Sequence, residues 1–182
     1  MDIKDAQRNM RHGYYGGAPG LAASALMWLL AGAVSAIHSS RAGVLALIFG
    51  GTLIHPLAIL GSKLLRRPGT HARDNPFGAL ALEGTVILMF GVLLAFALSQ
   101  FREELFFPAM LLVIGGRYLT FQTLYGLPVY WVCGGVLAAL GLLAAILKFP
   151  AAASAFAGGV TEAVFAVVVF SQVRGEGQGA GP

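Results

Sequence analysis

Apolar runs long enough to cross a bilayer recur six times along the chain, and most of the charge is gathered in the gaps between them. From Leu105 to Leu147 a single charged residue, Arg117, interrupts the pattern. A bilayer core of about 30 Å is spanned by about 20 predominantly apolar residues in a helix. The runs therefore predict spans over 19–38, 43–65, 77–99, 105–125, 128–148 and 152–172. Charged residues make up 11% of the 182-residue chain, against about 25% in soluble domains. The expected fold class is all-α: a polytopic membrane protein built as a bundle of six transmembrane helices.

The gaps carry turn chemistry. Pro68-Gly69, Asn75-Pro76, Gly126-Leu127-Pro128 and Phe149-Pro150 all fall between spans, where they stop or start helices. Asn75 is expected to cap the third span and Pro76 to begin it. Lys4, Arg8, Arg11, Lys63, Arg66, Arg67, Arg73 and Arg174 flank one side of the predicted bundle, and only Arg41, Arg102 and Lys148 flank the other. The excess of cations on one side predicts cytoplasmic termini. Residues 1–18 are then a cytoplasmic segment, 19–173 the transmembrane domain and 174–182 a disordered, Gly-rich tail. The "VSA" at 34–36 resembles a signal cleavage site, but the preceding apolar run is long for a secretory signal and contains Trp28. An uncleaved first span is expected.

With the cations placed beside spans, the lipid bilayer is the expected partner and nucleic acid is not. Cys133 is the single cysteine, which excludes an intrachain disulfide or a Cys-based metal site. No phosphate loop, His-Glu-x-x-His zinc motif or Gly-x-Ser-x-Gly elbow occurs. No metal or cofactor is expected; a membrane enzyme stays open as a third, less favoured reading, for which His55 and two glutamates are too few and too loosely spaced to make a metal site.

An ionisable residue at the bilayer centre costs at least about 2.5 to 3.5 kcal/mol and so requires a partner or a wet cavity. Four residues face that cost: His55, Glu83, Arg117 and Glu162. Their positions along the spans put them in one layer, and Arg117 is expected to pair with Glu83, Glu162 or both. Tyr118, Thr120 and Gln122 make the surroundings of Arg117 polar, and Thr52 shares a small, polar stripe with His55. Glu162 shares a face with Ala155, Gly158, Gly159 and Ala166, which admits another backbone at short range. Gly134, Ala138, Gly141 and Ala145 make a similar seam on the fifth span, suited to contact within the chain or in a homo-oligomer. Gly-Gly pairs precede His55, Arg117 and Glu162 alike, as in a threefold hairpin repeat or by chance in a chain with 25 glycines.

The stretches "GGTLIHPLAIL", "NPFGALALEGT" and "FFPAMLLVIGGRYLTFQTLYG" resemble a family of small bacterial inner-membrane proteins of unknown function. That resemblance implies a six-helix membrane fold and a multi-pass location in the bacterial inner (cytoplasmic) membrane, and supplies no activity or site residue. Two functional readings stand side by side. In one, Glu83, Arg117, Glu162 and His55 form the pathway of a transporter or channel for a small solute or ion. In the other, a structural or accessory protein uses the same charges only to fix helix packing.

Overall fold

The computed structural model of the chain describes residues 1–178. Seven α-helices follow one another: α1 (Ile3–Tyr14), α2 (Ala18–Ile37), α3 (Ser40–Leu64), α4 (Phe77–Phe101), α5 (Phe106–Tyr125), α6 (Val129–Ile146) and α7 (Ala151–Gln178). Short 3-10 turns at Tyr15–Gly17 and Glu103–Leu105 precede α2 and α5. Six segments are long and apolar enough to cross a membrane; the first takes in α1 and starts at Ile3, not near 19, and the rest fall within a few residues of the predicted spans except at the last helix end.

That exception corrects the expected tail. The last helix runs on to Gln178, because extending a formed helix adds a hydrogen bond for each residue it orders. The rest of the expected disordered tail lies outside the described residues.

The N-terminal segment is also more than a connector. Asp2 caps α1 by accepting from the Asp5 amide at 2.7 Å, while Arg11 and His12 occupy the last turn, where cations suit the helix dipole. Its buried residues, Ala6, Met10 and Gly13, recur every three or four positions, so one face is committed to the bundle. The chain leaves α1 through left-handed backbone at Tyr15, Gly16 and Gly17, which glycine adopts without steric cost. Pro19 then sits in the first turn of α2.

α1 is fastened to both neighbouring connections. Asn75 donates to the Ala6 carbonyl at 3.0 Å and to Asn9 Oδ1 at 2.9 Å, and its own Oδ1 accepts from Phe77 N at the start of α4. This shifts the expected start by one residue: Pro76, not Asn75, is the N-cap of α4 and Phe77 its first residue, with Asn75 accepting from that first amide. Gln7 and Arg11 donate to the carbonyls of Thr123 and Tyr125 at the end of α5, at 2.9 and 2.5 Å. Tyr14 Oη shares a 2.8 Å hydrogen bond with His71 Nδ1.

Among the long helices α2 packs on α3 and α7, while α5 packs on α4 and α6, with α6 and α7 joining the two groups. α3 and α4, consecutive in the chain, therefore lie at the two ends of a curved series. The core between the groups contains Trp28, Phe106, Phe107, Leu111, Tyr130 and Leu137, all essentially inaccessible. The seam on α6 is used within the chain: a Cβ on Gly115 of α5 would lie 2.7 Å from the Gly134 carbonyl, and one on Gly134 would lie 2.5 Å from that of Gly115. Only glycine at both positions permits that approach. Large apolar side chains such as Leu82, Ile87, Phe90 and Leu93 cover the outer surface of α4, as a lipid-facing helix requires.

Candidate functional site

The four ionisable residues do not form one layer of mutual partners. α5 presents Arg117 toward α4, where its guanidinium donates to the Gly84 carbonyl at 2.9 Å and to Thr85 Oγ1 at 3.2 Å. Its Cζ also lies 5.5 Å from the ring centroid of Phe121, one turn further along α5. Gly84 and Thr85 sit about 10 to 12 Å along α4 from its start, so the side chain is held at depth and not extended to the membrane surface. Among the described residues Arg117 makes no ion pair.

This corrects the expected pairing with Glu83, and helix geometry supplies the reason. Residues two apart on a helix point about 200° away from each other. When Thr85 meets Arg117, Glu83 is turned to the opposite flank of α4, where it is exposed. Among the described residues it has no hydrogen-bond or ion-pair partner.

Glu162 is not available to Arg117 either. It is 0% exposed, and its Oε1 accepts from Tyr118 Oη at 2.7 Å. Ser24 of α2 faces the same carboxylate. Its Oε2 has no partner among the described residues, and neither does Trp28 Nε1, one turn beyond Ser24 on α2. The small face of α7 admits α2 closely: a Cβ on Gly158 would lie 3.0 Å from the Trp28 ring, and one on Gly159 would lie 3.0 Å from the Leu29 amide nitrogen. Glu162 is thus enclosed by α2, α5 and α7.

His55 and Thr52 are exposed on α3. Thr52 Oγ1 returns its hydrogen to the Phe49 carbonyl at 2.6 Å, and Thr120 does the same to Arg117's own carbonyl at 2.7 Å. Gln122 is partly buried. The stripe through His55 nevertheless has a direction. A cleft between the beginning of α3 and the end of α4 is lined by Val44 and Phe96 among others, which identifies the flanks that face each other. By helix period His55, about three turns beyond Val44, shares a flank of α3 with it, and Thr85, about three turns before Phe96, shares a flank of α4 with that residue; the two flanks meet at the cleft.

Residues 3–172 match the family of unknown function DUF7010. The chain belongs to that family. No curated protein and no solved structure matches this DUF7010 protein. Its chemistry must accordingly be read from its own residues. Among those described, no group of three or more His, Cys, Asp or Glu side chains is placed to hold a metal ion. What the arrangement offers is a permanent cation on neutral oxygens at the α4–α5 contact, and a buried carboxylate bonded to the next residue of α5. Sequence reasoning had not singled out Gly84, Thr85 or Phe121. Their signal is weak, since a carbonyl, a hydroxyl and an aromatic ring are common in any transmembrane helix.

Proposed function

We propose that this DUF7010 protein carries a small anionic solute or ion across a cytoplasmic membrane, with Arg117 as the anion-attracting group. Arg117 holds its charge on neutral oxygens only, and this observation carries the reading. A guanidinium in that setting gains most from a ligand that brings the missing negative charge, and its planar fork suits a carboxylate or phosphate. Thr85 holds the same guanidinium, His55 is exposed on α3, and Glu162, enclosed behind Tyr118, is the carboxylate that exchanges a proton to balance the charge carried. Glu83, turned to the outer surface, takes no part. The cations beside α1 and the α3–α4 connection support cytoplasmic termini. Gly116 and Gly135, which have open space around them, leave smooth outward faces suited to a second copy of the chain.

The test is flux in proteoliposomes loaded with a pH-sensitive dye and challenged with chloride, phosphate and small carboxylates. Wild-type vesicles should show anion-dependent proton movement, and Arg117→Gln should abolish it while the purified protein keeps its oligomeric state and thermal midpoint. Wild-type flux no greater than in protein-free vesicles for every anion would sink the reading.

One observation favours a purely structural role for part of this constellation. The complete enclosure of Glu162 between three helices suits a residue that fixes packing. On that reading Glu162→Gln leaves any flux unchanged and alters only stability.

A further inference from the structure

The cleft between the beginning of α3 and the end of α4, opposite α1, holds about 380 Å³, and its chemistry differs from that around Arg117. Its wall includes one cation, Arg41, and one anion, Glu103, together with the neutral Ser99 and Gln100. Arg102 and Glu104 satisfy each other at 2.6 Å, leaving Glu103 as the carboxylate on the cleft. Among the described residues neither Arg41 nor Glu103 has an ion-pair partner, each other included. The rest of the wall is apolar, and it opens sideways through Leu45, Phe96 and Phe101, which are 41%, 39% and 86% exposed.

We infer that this cleft is a binding site for a phospholipid with a zwitterionic phosphate–ammonium headgroup. A purely anionic ligand would satisfy Arg41 and be repelled by Glu103, and a purely cationic one would meet the reverse. A headgroup carrying both charges satisfies both walls at once, the phosphate taking the guanidinium fork and the ammonium donating to the carboxylate. The exposed aromatic and aliphatic residues at the mouth sit where the spans reach the membrane boundary. They provide the surface along which acyl chains lie, which a soluble zwitterion would leave uncovered. This site does not depend on transport at Arg117.

The deciding experiment is native mass spectrometry of the purified full chain, titrated with phosphatidylethanolamine or phosphatidylglycerol of identical acyl chains. The wild-type protein should retain the ethanolamine lipid roughly tenfold better, the ratio of about one charge-assisted contact. Glu103→Gln should remove that preference, and Arg41→Gln, which loses the phosphate contact common to both lipids, should weaken retention of both; the two residues are exposed near helix ends. Glycerophosphoethanolamine, the headgroup without chains, should not compete. Equal retention of the two lipids by the wild type overturns the proposal without recourse to any variant. So does an unchanged preference in Glu103→Gln or undiminished retention of both lipids in Arg41→Gln, and so does displacement of the lipid by the free headgroup at matching concentration.

Discussion

Tyr118 and Glu162 provide the most direct measure of what the buried polar centre contributes. Tyr118→Phe removes only the hydroxyl that donates to Glu162 Oε1 at 2.7 Å. The opposite oxygen already has no partner among the described residues, so the carboxyl group is then left with Ser24 alone. Hydrogen bonds to charged groups contribute about 1.5–3 kcal/mol in soluble proteins, while interhelical bonds in membranes average about 0.6 and reach about 1.7 kcal/mol. Full enclosure and a short distance put this bond near the upper membrane value, at about 1.5 kcal/mol. Glu162→Met removes the other partner and leaves the Tyr118 hydroxyl unsatisfied. The double variant abolishes both orphaned groups, and pairs replaced together by apolar groups are nearly neutral. The double variant should therefore be more stable than the sum of the singles requires, by about 1.5 kcal/mol. Equilibrium unfolding in mixed detergent micelles reads all four corners of the cycle. A coupling within about 0.5 kcal/mol of zero, the usual scatter for independent sites, would refute the claim that this bond holds α5 to α7.

Two further substitutions test the packing of the fold. Gly115→Leu should lower the thermal midpoint in detergent, because its Cβ would meet the Gly134 carbonyl and overpacking costs about 1–3 kcal/mol. Gly116→Leu, with nothing within 4 Å, should leave the midpoint unchanged, and equal effects at the two positions would count against a close α5–α6 seam. Asn75→Ala removes hydrogen bonds to Ala6, Asn9 and Phe77 and should raise amide hydrogen exchange throughout α1 by about tenfold or more. Unaltered exchange there would show that Asn75 does not fasten α1 to the bundle.

The spans were legible because length and charge exclusion are properties of each segment alone. α1 was not, although its apolar residues recur at helical spacing, because its partners are the 65–76 connection and the end of α5. Neither is near α1 in sequence. The small face around Glu162 pointed correctly to close helix approach, and α2 fills it. The identity of the group bonded to Glu162 was missed in favour of Arg117, although Tyr118 stood beside that arginine in sequence. Charge suggests partners by Coulomb attraction, whereas the actual partner depends on the rotation of each helix about its axis. Turning α4 by two positions would have exchanged Thr85 for Glu83 at Arg117. Nothing in the local sequence fixes that rotation; Gly84, Gly91 and Ala95, which face α5 or lie buried, fix it in the assembled bundle.

The helix period also explains why the charged centre and the carboxylate centre are separate yet adjacent. Arg117 and Tyr118 are consecutive, so they project about 100° apart: one toward α4, the other into the core toward α7. Phe121, the next turn on α5, touches both, with Arg117 Cζ at 5.5 Å and the Tyr118 ring at 5.2 Å from its centroid. A single aromatic ring thus separates the permanent cation from the hydroxyl that holds Glu162. The three side chains are rooted on one rigid helix, so a rotation of α5 that loosens Tyr118 from Glu162 also shifts Arg117 against Gly84 and Thr85. On the proposed reading, a small rotation of α5 would be enough to link ligand binding beside Arg117 to the state of the buried carboxylate, with no pore between the two centres.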